Sequence, residues 1–172
     1  MANTHKLIAS STIGSGGAAD ITFSSIPQTY TDLKLIMSMR SAGNLGGGNT
    51  YFDITTVSFN GSSSNFLQQQ AYGNGSSTVA GTAATLQIHC PGNGATSNTF
   101  GNAEMYITNY TLSANKLTNI SLVTENNATS ALNMLIAGLW SQSAAINSIK
   151  LTMYGGNIEQ HSTFDLYGIT NS

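Results

Sequence analysis

Charge is what this sequence has least of. Lys and Arg together number 5 and Asp and Glu 7 in 172 residues, so only 7% of the side chains are charged, against about 25% in an ordinary soluble domain. So few basic residues cannot neutralise a run of phosphates, which excludes the usual footprint of a nucleic-acid-binding protein. Cysteine is single: Cys90 can form no disulfide within the chain, which fits folding in a reducing compartment. Proline occurs twice, as Pro27 and Pro91, each between apolar runs where a missing amide donor does no harm. No run of about 18 apolar residues is present, and Met1-Ala2-Asn3-Thr4-His5-Lys6 leads straight into a strand-like segment. Neither a membrane span nor a secretion signal is expected.

What fills the space is uncharged and small. Ser, Thr, Asn and Gly make up close to half the chain, while hydrophobic residues still reach 40%. Tyr, Phe, Ile, Val and Thr recur throughout, which separates this composition from low-complexity disorder. The apolar residues fall in short runs broken by Gly, Asn and Ser, the pattern of many strands joined by turns.

Residues 5–13 and 18–23 are the first two runs, and Gly14-Ser15-Gly16-Gly17 between them reads as a hairpin connection. Residues 32–40 alternate, with Leu33, Leu35, Met37 and Met39 on an inward face and Lys34, Ser38 and Arg40 on an outward one. Residues 50–59 end at Asn60-Gly61, a dipeptide that recurs at Asn74-Gly75 and Asn93-Gly94 and tolerates the positive φ of tight turns. Further strands are expected over residues 85–89, 103–110, 116–124, 147–154 and 163–169. Ala131–Trp140 can be read either way, since it holds good helix formers but also Gly138 and is short; a buried strand is the favoured reading. About ten closely spaced strands with this turn chemistry predict one domain over residues 1–172, an all-β antiparallel β-sandwich of jelly-roll type.

The chemistry-bearing residues are scattered. His5, His89 and His161 lie far apart without metal-ligand spacing, so no metal and no cofactor are expected. Among the carboxylates, Glu104 and Glu125 are the pair a sandwich could bring within the roughly 5–10 Å that glycoside hydrolysis needs. Cys90 has His89 beside it, but neighbours in a strand point to opposite faces. Gly46-Gly47-Gly48 lacks the lysine and following helix of a phosphate loop. Tyr51, Phe52, Phe59, Phe66, Tyr72 and Trp140 either stack on sugar rings or, the commoner use, pack a core. No catalytic residues and no enzymatic activity are expected.

Free antiparallel sheets guard their edges with charge, and this chain has little to spare. Its edges and polar faces are expected to be covered by neighbours, held by packing and hydrogen bonds that salt does not screen.

The segment from Ile21-Thr22-Phe23 through Ile26-Pro27-Gln28-Thr29-Tyr30-Thr31-Asp32-Leu33 resembles one found in small virion proteins of tailed bacteriophages, especially aquatic and cyanobacterial phages. Val123-Thr124-Glu125-Asn126-Asn127-Ala128-Thr129, Ile136-Ala137-Gly138-Leu139-Trp140-Ser141 and the closing His161-Ser162-Thr163-Phe164-Asp165-Leu166-Tyr167-Gly168-Ile169 are similar to the same family. Residues 43–94 match least. The resemblance implies a structural protein of the virion and carries no catalytic residues with it.

Within that class, small size and low charge point to a capsid decoration, or cement, protein on the outer surface of the head, made in the host cytoplasm and partnered by the major capsid protein. A homotrimer is expected by analogy with threefold positions of a shell. The alternative is a tail fibre or tail knob adhesin that binds host-surface glycans. Candidate partner-binding residues are Ala2, Asn3, Thr4, His5, Lys6 and Leu7 at the start, Asn44, Leu45 and Asn49 in one loop, and Ser62, Ser63, Ser64 and Asn65 in another, where small and amide side chains can adapt to a surface.

Overall fold

A computed structural model describes residues 4–46, 51–125 and 131–170. Ala2, Asn3, Gly47, Gly48, Asn49, Thr50 and the Asn126, Asn127, Ala128, Thr129 stretch lie outside the described residues. The described residues form twelve strands and no helix: β1 (His5–Thr12), β2 (Asp20–Phe23), β3 (Asp32–Met39), β4 (Phe52–Phe59), β5 (Phe66–Gly73), β6 (Thr78–Ala83), β7 (Leu86–Pro91), β8 (Gly101–Ile107), β9 (Lys116–Glu125), β10 (Ala131–Trp140), β11 (Ile149–Met153) and β12 (Thr163–Ile169). Two antiparallel sheets face one another, one ordered β1-β12-β3-β8-β9-β10-β5-β6 and the other β2-β11-β4-β7.

The pairing is nested. β1 pairs with β12, β2 with β11, β3 with β8 and β4 with β7, as though one long hairpin had been rolled up. Those eight strands, four in each sheet, have the strand order of a jelly roll. The other four are two additions: β5 and β6, inserted between β4 and β7, and β9 and β10, inserted between β8 and β11. Both join the larger sheet beyond β8.

Burial follows the period of two expected of half-buried strands. In β9 and β10 every other residue is buried, among them Ile120, Leu122, Leu132, Met134, Ile136 and Trp140. The Ala131–Trp140 segment is therefore a strand, and Gly138 sits in it because a Cβ would meet Thr118 Oγ1 at 2.1 Å and Leu86 Cδ1 at 2.7 Å. Leu33, Leu35, Met37 and Met39 of β3 point inward as expected. Each large apolar side chain buried in this way contributes about 1.5–3 kcal/mol.

Three local expectations are corrected. The Gly14-Ser15-Gly16-Gly17 stretch does not close a hairpin: β1 and β2 lie in different sheets, and the glycines carry the chain across the sandwich. Arg40 does not face outward. It follows the last residue of β3 and is 4% exposed, its guanidinium bonded to the carbonyls of Ala95, Thr96 and Thr99. The chain also holds two strands, β5 and β6, that run through Gln68-Gln69-Gln70 and the small residues of Thr78–Ala83.

The Pro27 segment behaves as a fixed crossover. Ile26 donates its amide to the Asn147 carbonyl at 3.0 Å, Tyr110 donates its hydroxyl to the Pro27 carbonyl, and Asp32 accepts the Asn109 amide at 2.7 Å. Asn60 and Gly61 both take positive φ, at 53° and 76°, as the Asn-Gly turn requires.

Candidate functional site

The outer face of the larger sheet is the first candidate. Along β9, β10 and β5 the outward residues form rows fixed by strand register: Leu117, Leu139 and Leu67; Asn119, Ala137 and Gln69; Ser121, Leu135 and Ala71; Val123, Asn133 and Gly73. None of these side chains is charged. Leu117 and Leu135 are each 58% exposed, and Leu67 and Val123 are exposed as well. Scattered surface leucines need no explanation, but a contiguous uncharged face of apolar and amide side chains on one sheet is a candidate interaction surface.

Charge begins only at its borders. Glu104 on β8 pairs with Lys34 on β3 at 2.9 Å, and Glu125 at the end of β9 accepts the Thr96 amide at 2.7 Å. These are the two carboxylates considered as a hydrolytic pair. Glu104 stands opposite Ser121 in the ladder, four residues along β9 from Glu125, or roughly 13 Å. The structure does not bring them together.

The second candidate lies behind that face. The smaller sheet ends at β7, whose Leu86 packs under β10 at Gly138 and whose Gln87 amide reaches Gln68 of β5, and the larger sheet runs on past that edge as an overhang. At one end the overhang is filled by the rings of Phe59, Phe66 and Trp140, with centroids 5.3 to 6.1 Å apart. Next along β5, the buried Gln68 accepts the Gln87 backbone amide at 2.7 Å and so satisfies the edge of β7. Beyond Gln68 the overhang is open, as a pocket of about 420 Å³ lined by Leu45, Tyr51, Phe52, Gln70, Tyr72, Asn74, His89, Ala131, Leu132 and Met134. The six aromatic residues noted in the sequence thus divide: Phe59, Phe66 and Trp140 are core, while Tyr51, Phe52 and Tyr72 line the pocket.

His89 and Cys90 go to opposite sides of β7. The Cys90 thiol is fully buried, 3.9 Å from the Met153 sulfur, and burial pushes its pKa up, the charge of Asp53 adding to the effect. It is a structural thiol in a dry core. His89 is held below its ordinary pKa by burial, with the Asp53 charge pulling the other way, and its Nδ1 is buried without a partner. Among the described residues no group of three metal-ligating side chains occurs, and no helix is long and apolar enough to cross a membrane.

The partner-binding residues suggested by the sequence are dispersed. Thr4 precedes β1, and His5, Lys6 and Leu7 are exposed in it, at the opposite edge of the larger sheet from β6. Asn44 donates to the Asn93 side chain at 2.9 Å, while Leu45 lines the pocket. Ser62, Ser63, Ser64 and Asn65 link β4 to β5 at the Phe66 end of β5, away from the pocket, and Asn65 takes φ of 65°. Ala2, Asn3 and Asn49 lie outside the described residues. Neither the outer face of β9, β10 and β5 nor Gln70 stood out in the sequence, while Asn74 was read only as part of a turn and His89 only as an isolated histidine beside Cys90. The period-two exposure of Leu117 and Val123 was the one signal available for the face.

No protein-family model matches the chain, and no curated protein matches it.

Proposed function

We propose that the chain is a structural protein of a tailed-phage virion, a decoration protein that sits on the outside of the head and bridges neighbouring copies of the major capsid protein. The observation that carries this reading is the uncharged outer face of β9, β10 and β5. Packing such a face against a shell buries leucines and amides without the several kcal/mol per ion that desolvating charges costs.

The protein acts in this reading as a homotrimer. The β6 edge, Thr78–Ala83, carries no charge and no proline, so it lacks the usual protection of a free edge. A closed threefold arrangement covers each such edge with a neighbour and leaves none to polymerise. The role is mechanical: the chain is made in the host cytoplasm, joins the assembled head and catalyses nothing.

Locating the chain on intact particles tests the reading. Density at many sites over the head supports it. Density confined to the tail vertex overturns it in favour of an adhesin, and heads that lack the protein yet withstand heat and osmotic shock as well as complete ones remove the cement role.

A further inference from the structure

The overhang beyond β7 holds an unused site, and we propose that its open end binds a neutral sugar unit of a glycan, with the Tyr51 and Tyr72 rings against the sugar's C–H face and the Gln70 and Asn74 amides on its hydroxyls. This goes beyond the decoration reading and does not rest on it.

The lining selects the ligand class. None of the described residues around the pocket is charged, so they offer no ion pair to the phosphate of a nucleotide or lipid headgroup or to the carboxylate of an acidic sugar. A purely apolar ligand fits no better, because amide and imidazole groups share the wall with the rings. The volume of about 420 Å³ lies within the range of small-ligand pockets, about 300–1,000 Å³.

Hydrogen-bonding capacity is left over on that wall. Gln70 Oε1 accepts from Gln68 Nε2 at 2.6 Å, which leaves its own NH₂, beside Gly81 of β6, as a donor. Asn74 Oδ1 accepts the amides of Ser76 and Ser77 at 3.0 and 2.9 Å. That fixes the Asn74 side chain and leaves its NH₂ to give. His89 lines the same wall, though its Nδ1 is shielded from solvent and has no partner. Burial keeps this imidazole neutral near pH 7, so the site as a whole presents donors, rings and no net charge. Sugars supply the matching surface, hydroxyls around an apolar ring face.

Saturation-transfer NMR on the full chain tests this, with methyl glucoside, methyl galactoside, methyl mannoside, maltose and lactose as probes, and galacturonate and sialic acid as charged controls. The expected result is transfer to at least one neutral sugar, little to the charged ones, and about tenfold weaker binding in Tyr72→Ala. Because Tyr72 also packs against the core, Gln70→Ala is the second variant, checked by thermal unfolding, and is expected to weaken binding while leaving the fold intact. Absence of transfer to every neutral sugar at tens of millimolar overturns the proposal. So does binding that both variants leave unchanged, or a preference for the charged controls.

Discussion

Arg40 Nε stands 3.0 Å from Glu159 Oε2, an ion pair with one buried and one half-exposed partner. The remaining guanidinium nitrogens hold the carbonyls of Ala95, Thr96 and Thr99 at 2.7 to 3.2 Å, so one side chain ties residues 95–99 to the turn before β12. Lysine has no fork with which to replace these bonds. Arg40→Lys is expected to cost about 2–4 kcal/mol in urea unfolding, and Glu159→Gln about 1 kcal/mol because its partner keeps three carbonyls. Equal stability of Arg40→Lys and the parent would contradict this account.

Gly155 runs against the loop after β3. A Cβ on it would stand 2.0 Å from the Asn44 carbonyl oxygen and 2.8 Å from its nitrogen, and backbone cannot step aside as a side chain end can. Gly155→Ala is expected to cost about 3 kcal/mol or prevent folding. Gly14→Ala, with nothing within 4 Å of the new carbon, serves as the control and is expected to be neutral within about 1 kcal/mol.

His89 makes stability depend on pH. Its pKa is lowered by burial, Asp53 opposing, so the unfolded chain takes up the proton first. The stabilisation is fully present above the unfolded value near 6.5 and is lost as pH falls from there through the lower folded value. Thermal melts are expected to drop between pH 7.5 and 5, and His89→Gln to flatten that part of the curve. An unchanged slope in the variant would assign the drop elsewhere.

Three ion pairs join described residues, Lys34 to Glu104, Arg40 to Glu159 and Lys150 to Asp20, and two of them sit at the surface where screening removes little. Raising NaCl from 20 to 300 mM is expected to move the melting temperature by less than about 2 °C. A larger fall would show that charge matters more to this fold than its composition implies.

Leu117→Asp with Leu135→Asp separates folding from docking. Both positions are exposed, so each change is expected to alter stability by about 0.5 kcal/mol or less, while under the proposed decoration role binding to undecorated heads should disappear. A variant that still decorates heads at parental levels would move the contact to another face.

Where local pattern decides structure, the sequence was readable. β3 puts Leu33, Leu35, Met37 and Met39 inward as its alternation expects, and Asn60-Gly61 could hardly do other than turn. Where the deciding partner lies far along the chain, it was not. Gly14-Ser15-Gly16-Gly17 has hairpin chemistry, yet β1 and β2 are claimed by β12 and β11. Gln68, in a run of three glutamines that no apolar pattern marks, is buried because the Gln87 amide needs an acceptor. Arg40 continued an outward alternation on paper, and the carbonyls of residues 95–99 drew it inside. The pocket was least visible of all, because its lining comes from β4, β5, β7, β10 and two connecting segments that meet only where the smaller sheet ends.

The nested pairing also sets an order of events at the ribosome. β1 is made first and its partner β12 last, with His5 opposite Ile169, and β2 waits almost as long for β11. At about 5–20 residues per second, the first strands spend on the order of ten seconds without the neighbours that complete their sheets. Meanwhile the ladders that join β5 to β6 and β8 through β9 to β10 can form from chain already made. The sandwich is therefore built from the middle of the chain outward. With so little charge to keep nascent chains apart, it is during synthesis, not once folded, that this protein is most exposed to pairing with the wrong copy.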